Sequence, residues 1–452
     1  MMRVALDEGV PAASFLVKQG NYTLVDSSTG LPLGAVGVGN TWTVTAAGTT
    51  LLVQGPGLKG TQPFQGPVLL QETGGGVSSD QPNLFQYNGT LYRGSLAIQN
   101  LSNQLLVLNV LDMEKYLYGV VGKEIGGTAS AEALCVQAVA SRSYALSMRG
   151  LSAWYDIGHD TGSEVYGGYS GEQEFACSSG NPVVDAVQRT RGQVLEYLGT
   201  LVRAYFSANA GGYTEDAENV WAESRPYLKG VASDGDAYAD TLGGWAQSTY
   251  RWTKTINRSD LESQLGVGKI LDIQVSRNRT RISTDPVTGS IKRDFVPGSV
   301  TVSGRATQVT VIGASGSKTF YRDNIRQAFG LKSTLFDLDY GGQLQGLDDQ
   351  GQAVALTGDK IYVEGQDGVP LTVAPGAGSL YVIGSGNTQV LQGASTDQIT
   401  FSGRGYGHGV GMSQWGAIGL AIKGYKYQDI LELYYNQGKH DGNLKIVGNY
   451  GN

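Results

Sequence analysis

Residues 403–417 read Gly403-Arg404-Gly405-Tyr406-Gly407-His408-Gly409-Val410-Gly411-Met412-Ser413-Gln414-Trp415-Gly416-Ala417. An imidazole, an amide and an indole stand on a backbone stripped of side chains at nearly every second position. Glycine carries no Cβ, so such a backbone turns sharply or lets a ligand approach closely. The pattern predicts either a displayed His408, which titrates near pH ~6.5 when unperturbed, or a glycine-rich turn whose His caps the next helix. A second candidate is Glu124, at the end of Met113-Glu114-Lys115-Tyr116-Leu117-Tyr118-Gly119-Val120-Val121-Gly122-Lys123-Glu124. A carboxylic acid is the usual proton donor to a glycosidic oxygen when an apolar surround raises its pKa. A surface ion pair or a helix cap is the competing use of a lone Glu.

These groups need elements to position them. Thr128-Ala129-Ser130 followed by Glu132 offers N-caps, and Ala131, Leu134, Cys135, Ala138, Val139, Arg142 and Ala145 recur at helical spacing until Gly150. The segment before it reads as strand-like, which puts Glu124 between a strand and that helix. Residues 1–110 alternate apolar and polar in short runs bounded by Gly, Asn, Asp and Ser, the mark of strands and hairpins. Residues 55–83 read as a long loop, and Leu105-Leu106-Val107-Leu108-Asn109-Val110-Leu111 as a buried strand. Residues 183–208 suggest a helix and then paired strands at 194–197 and 202–206. In 250–335, strands are expected at 270–275 and 309–312, with a short helix around 322–329. Residues 337–400 are again β-like, with strands at 360–363 and 379–383. The glycine-rich stretch follows a strand at 398–401 and leads into a helix from about Ser413; a last helix covers roughly 427–435. The expected fold class is α+β, a β-rich frame with a few helices.

A chain of 452 residues suits two or three domains. Its net charge of −7 argues against nucleic acid or an anionic membrane as the main partner, since both reward basic patches. Charged residues are only 16% while Tyr numbers 25, which favours a neutral polar ligand such as a carbohydrate. Cys135 and Cys177 give no disulfide framework. No apolar run is long enough to span a bilayer. The start, Met1-Met2-Arg3-Val4-Ala5-Leu6-Asp7, already reads as a strand, which fits a cytosolic protein or one whose signal or anchor has been removed.

The run from Tyr116 through Glu124, Glu132-Ala133-Leu134 and Gln137-Ala138-Val139-Ala140-Ser141-Arg142-Ser143-Tyr144-Ala145-Leu146 resembles the SpoIID/LytB family. The glycine-rich stretch, through Ser413-Gln414-Trp415-Gly416-Ala417, is similar to that family's other signature. Tyr205-Phe206-Ser207 with Gly211-Gly212-Tyr213-Thr214-Glu215-Asp216 and Val220-Trp221 is similar to a third block. Together the three cover roughly residues 105–440. The resemblance implies an extracytoplasmic protein acting on peptidoglycan glycan strands, as a lytic transglycosylase that cleaves strands lacking stem peptides. One carboxylic acid then suffices, because the C6 hydroxyl of the substrate replaces the water of a two-carboxylate hydrolase. Carried over, Glu124 is the acid/base. Arg142, Ser207, Thr214, Lys229, His408 and Gln414 fall at positions implied to line a glycan-binding cleft, Arg142 alternatively pairing with a nearby Asp. That cleft is expected where the 130–148 helix meets the glycine-rich turn.

Two departures stand out. Cys135 occupies a helix position where the family shows Lys, and Glu164, in Ser163-Glu164-Val165-Tyr166, stands where it commonly shows Gln. The first gives weight to a non-catalytic glycan-binding enhancer of a cell-wall amidase. The second opens a muramidase-type hydrolase in which Glu124 works with Glu164, Glu215 or Asp216. Some members bind zinc near the segment matching 156–177, but His159, Asp160 and Cys177 are loosely spaced, so neither metal nor cofactor is expected. The division expected is an N-terminal β-rich domain at 1–104, a core of 105–336 with 401–440, and a β-rich insertion at 337–400 whose Gly341-Gly342, Asp348-Asp349 and Gly351 show no calcium-loop spacing.

Overall fold

The structure, a computed structural model, describes residues 1–58, 62–74, 81–221, 223–285, 288–340 and 397–448, together with six short strands between 345 and 391. It is a β-rich α+β fold. The chain divides into two compact units, residues 1–205 with 420–452, and residues 206–419.

The first unit opens with two six-stranded sheets. In one, Met2–Val10 pairs antiparallel with Gln104–Leu111, which pairs in turn with Ser95–Leu101. In the other, Ala12–Gln19 lies between Leu84–Tyr87 and Thr41–Ala47. Alternate residues such as Phe15, Val17, Trp42, Val44, Leu96 and Ile98 are buried, the period-2 signature of strands with one covered face. One expectation fails here. Val68–Glu72, within the supposed long loop, is a strand between Tyr22–Asp26 and Ser95–Leu101. Val68 and Leu70 supply the buried face, and the Gly and Pro around them only bound it.

After the sheets come the helices α1 (Met113–Ile125) and α2 (Ala131–Met148). The helical α1 corrects the strand-like reading of this segment. The Asp112 side chain accepts the Glu114 N–H at 2.9 Å, an N-cap that sequence spacing alone did not flag. Tyr116, Leu117, Val120 and Val121 then fall on one buried face at helical period. Gly126, with φ of 84°, ends it. In α2 the Ser130 hydroxyl is the N-cap, and every residue from 133 to 145 is buried. Such a helix is a central strut, held by its surroundings on all sides. The helix Pro182–Arg189 packs on it, and so does the returning helix Tyr427–Asn436. The strand Leu444–Val447 pairs with Val194–Tyr197. Of residues 202–206, expected as a strand paired with 194–197, Val202 donates its N–H to the Leu195 carbonyl at 2.9 Å, but the strand that pairs there is Thr200–Leu201, and Phe206 pairs with Met412 instead.

The second unit is built on a three-stranded antiparallel sheet of Arg251–Asn257, Gln398–Arg404 and Phe336–Asp339. A further sheet joins Ile270–Ser276, Gln308–Gly313 and Gly316–Tyr321. Their common core includes Trp252, Ile273, Val309, Phe329, Phe336 and Phe401, closed by the helices Arg258–Leu265 and Asn324–Phe329. Of the strands expected at 360–363 and 379–383, Ile361–Glu364 and Leu380–Gly384 occur in hairpins. Lys360, Ser379 and the acidic glycine-rich run at 341–351, apart from the strand 345–347, lie outside the described residues. None of the described helices is long and apolar enough to cross a membrane.

Candidate functional site

Glu124 lies in the last turn of α1, half-buried. Its Oε1 accepts the backbone N–H of Val165 at 2.6 Å. The residue before, Glu164, is fully buried, and its Oε2 accepts the Tyr116 hydroxyl at 2.9 Å. Burial holds the Glu164 carboxyl well above the usual carboxylate range. The Ser141 and Tyr116 hydroxyls oppose that rise, and the charge on Glu124 adds to it. Of the two carboxyls, Glu164 is the one that burial drives toward its protonated form. The Tyr116 phenol is likewise pushed up, by burial and then by Glu164. Ser141 itself accepts the Gln137 amide at 3.0 Å, so one face of α2 supplies the polar floor under the carboxyls.

Glycine lets the loop carrying Glu164 and Val165 reach α1. A Cβ on Gly119 would stand 2.7 Å from the Gly168 carbonyl oxygen and from the Tyr166 ring. Instead the Gly119 carbonyl accepts the Gly167 N–H at 2.9 Å. Gly122 meets the Phe175 ring in the same way.

Arg142 is turned inward. Its guanidinium grips Glu114 at both carboxylate oxygens, at 3.1 and 2.5 Å, and donates to the Gln193 carbonyl at 3.0 Å. Glu114 also accepts the Gly192 N–H at 3.1 Å. With 1% of its surface exposed, Arg142 ties α1 to α2 and to the 187–193 segment; it is ion-paired, but its partner is Glu114 and not the Asp of the expected alternative. Cys135 is also buried, against the Ala186 carbonyl, and burial pushes its thiol up to about 11. It is a small packing residue on the side of α2 that faces Pro182–Arg189, while Ser141 faces Glu164. His159 sits 3.0 Å from the Ala5 carbonyl oxygen through Nδ1, and Cys177 lies in a turn against Ser179 and Gly180. Among the described residues no group of three or more His, Cys, Asp and Glu is placed to hold a metal ion.

In the second unit, the glycine-rich turn and the 206–216 block, two hundred residues apart in sequence, are knitted backbone to backbone. Asn209 and Tyr406 exchange N–H···O bonds at 3.1 and 2.8 Å, and Glu215 donates its N–H to the Gly409 carbonyl at 2.8 Å. Phe206–Ser207 runs parallel to Met412–Ser413. Close approach requires glycine at 405, 407 and 409, all with positive φ. A Cβ would strike the Asn209 carbonyl, the Ser207 side chain and the Arg305 guanidinium respectively. Ser207 contributes its Oγ, which accepts the Gly409 N–H at 3.3 Å.

His408 is anchored within this turn. Its Nδ1 accepts the Val410 N–H at 3.0 Å, and its ring lies 4.6 Å from that of Trp221. Burial pushes its pKa down to about 4, against smaller opposing effects of Asp323 and the Phe206 backbone. The ring is neutral at neutral pH with one nitrogen committed to the backbone, which suits holding the turn better than carrying protons.

Thr214 and Val231 are cross-linked, the Thr214 hydroxyl oxygen accepting the Val231 N–H at 2.8 Å. Lys229 pairs with Glu218. Gln414 is buried at the start of the helix Gln414–Ile422. Next to it, Trp415 lies 6.3 Å from Trp245 and 6.5 Å from Tyr238, the pairs tilted by 49° and 48°, and Trp245 is 65% exposed, so a cluster of tilted aromatic rings borders the turn. Glu215 faces inward, bonded to Ser303, Asn219 and the Asp216 N–H. Asp216 pairs with Arg279 and accepts the Gly230 N–H. Sequence reasoning missed Arg305, fully buried under Gly409 and donating to the Ala210 carbonyl at 2.7 Å. No periodicity or motif marks it. Tyr116 stood inside a quoted block, and its hydroxyl could have been read as a carboxyl's partner.

Fold and site define an α+β protein with a carboxyl pair at the end of one helix and, in its other unit, a backbone-built glycine turn bordered by aromatic rings. Residues 101–197, which hold α1, α2 and the Glu164 loop, match the SpoIID family, described as Stage II sporulation protein. It is 31% identical over 330 residues to the amidase enhancer of Bacillus subtilis (strain 168), covering 71% of this chain but only 39% of that protein. It is 25% identical over 351 residues to Stage II sporulation protein D of the same organism, covering 75% and 77%. An uncharacterized protein of Brachyspira hyodysenteriae is 27% identical over 366 residues, covering 80% and 75%.

Proposed function

We propose that this protein acts on the bacterial cell wall, outside the cytoplasm, and cleaves peptidoglycan glycan strands as a lytic transglycosylase, with Glu124 as acid and base. The observation that carries this reading is the carboxyl pair: Glu124, half-buried and pinned by the Val165 N–H, beside the fully buried Glu164, whose carboxyl burial holds well above the usual range. The family supports the substrate class, and the exposed Trp245 ring beside the half-buried Trp415 supports sugar contact.

In the proposed step, Glu124 gives its proton to the oxygen linking MurNAc C1 to the next GlcNAc, and that C1–O bond breaks. The MurNAc C6 hydroxyl closes onto C1, its proton passing to the Glu124 carboxylate. The acid is regenerated, no water is consumed, and a 1,6-anhydro end forms. Glu164, whose carboxyl burial drives toward its protonated form, fixes the loop that holds Glu124. Within the second unit, Ser207, Thr214, His408 and Gln414 shape the turn and its support, while Lys229 stays partly exposed beside Glu218. In this reading residues 105–336 and 401–440 are the working core, with 1–104 and 337–400 as additions to it.

The amidase-enhancer relative supports a second reading, a glycan-binding protein that stimulates a cell-wall amidase without cutting. Mass spectrometry of digested glycan strands separates the two. Anhydro-MurNAc ends are expected, and Glu124→Gln should lower their formation by about 10²-fold or more, the usual worth of a general acid. Ends one water heavier would indicate a hydrolase. No new ends at all, with amidase stimulation intact, would leave the enhancer reading.

A further inference from the structure

Within the second unit an open pocket of about 650 Å³ runs along the strands Arg251–Asn257, Gln398–Arg404 and Phe336–Asp339. Register places Arg251 directly opposite Arg404, with Thr253 and Asp337 flanking Ser402 in the next outward row. Like charges directly opposite each other on an antiparallel pair repel. Arg251 is offset by Asp240 at 2.7 Å. Arg277, also lining the pocket, donates to the Gly304 and Phe336 carbonyls and faces Asp337 at 3.6 Å. Arg404 is exposed, and although its backbone bonds Leu335 and Ser333, its guanidinium makes no hydrogen bond or ion pair with any described residue. Among the described residues, three guanidinium groups against two carboxylates leave one positive charge uncompensated, Arg404's.

We propose that this pocket binds a single carboxylate carried on a saccharide, with Arg404 and Arg251 meeting the anion. One excess charge matches a monoanion better than a phosphate dianion, which Asp240 and Asp337 would repel. Planar guanidinium forks suit carboxylate oxygens, and the hydroxyls of Thr253 and Ser402 are suited to neutral sugar oxygens. The saccharide part rests on the glycan reading above; the anion part does not.

Calorimetric titration of the full chain with peptide-free MurNAc-GlcNAc tetrasaccharide, chitotetraose and free lactate tests both. The two oligomers differ in the lactyl carboxylates. The parent should bind the muramyl oligomer about tenfold more tightly than chitotetraose, with the margin shrinking in salt. Arg404→Gln should remove that margin and leave chitotetraose binding unchanged; Arg251→Gln should reduce it. Equal binding of the two oligomers by the parent, or a margin that survives Arg404→Gln, overturns the anion site. Lactate binding lost in Arg404→Gln, with neither oligomer bound, upholds the anion site and fails the glycan reading instead.

Discussion

Glu164 shows how burial decides what a carboxyl does. An ordinary Glu titrates near 4.5, whereas this one keeps its proton to much higher pH because its charged form would lose all hydration. Whatever stability it lends is complete below about 4.5 and is withdrawn as the pH climbs toward its raised value. Glutamine has nearly the shape of the protonated acid and can still accept from Tyr116, which explains how either residue serves at this position. Glu164→Gln should therefore match the parent in urea unfolding at pH 5 and exceed it at pH 8. The gap should be about 1.4 kcal/mol for each pH unit by which the folded-state value stands above the ordinary one, up to the measured pH. A gap that does not widen between those pH values would mean that Glu164 is already ionised. In the glycan assay the same variant should retain activity, while Glu164→Ala, which leaves the Tyr116 hydroxyl without its acceptor, should lose much of it.

At the scale of elements, the contact between α1 and the 163–168 loop governs where Glu124 points. Gly119→Ala puts a methyl 2.7 Å from a backbone oxygen that cannot swing away, so helix and loop must separate. The expected cost is about 1–3 kcal/mol of stability, with a loss of anhydro-end formation larger than the unfolded fraction explains. Gly448→Ala, with open space around it, is the control and should do neither. This contact also shows what was legible beforehand. The helix α2 was plain, because Leu134, Ala138, Val139 and Ala145 keep helical spacing. In α1, Val120-Val121 and the Tyr-Leu-Tyr run look as good for a strand, and the decisive signal, the Asp112 cap, lies outside the apolar pattern. Val68–Glu72 escaped notice because five residues between glycines carry little periodicity. Glu124 and the glycine turn could be found by motif, but the inward aim of Arg142 could not. Only the position of Glu114, a full helix away, reveals it.

At the scale of the whole molecule, the first unit is made of two chain segments, with residues 206–419 intervening. Its second segment covers α2: Tyr427 donates its N–H to Glu132 at 2.9 Å and its hydroxyl to Gln193 at 3.1 Å, while Leu444–Val447 completes the small sheet with Val194–Tyr197. Ile430, Leu431, Tyr434 and Tyr435 are fully buried. At about 1.5–3 kcal/mol for each large apolar side chain, this segment contributes on the order of 10 kcal/mol, as much as an entire domain's net stability. A chain ending at Lys423 should therefore lose the first unit's cooperative folding. The core of the second unit, contained in residues 251–404, should persist. Hydrogen exchange read by mass spectrometry distinguishes the outcomes. Peptides from α2 should lose protection while those from 251–257 and 398–404 keep it. Protection retained in α2 would mean that its apolar faces are satisfied without the returning helix, and uniform loss would mean that the two units fold only as one.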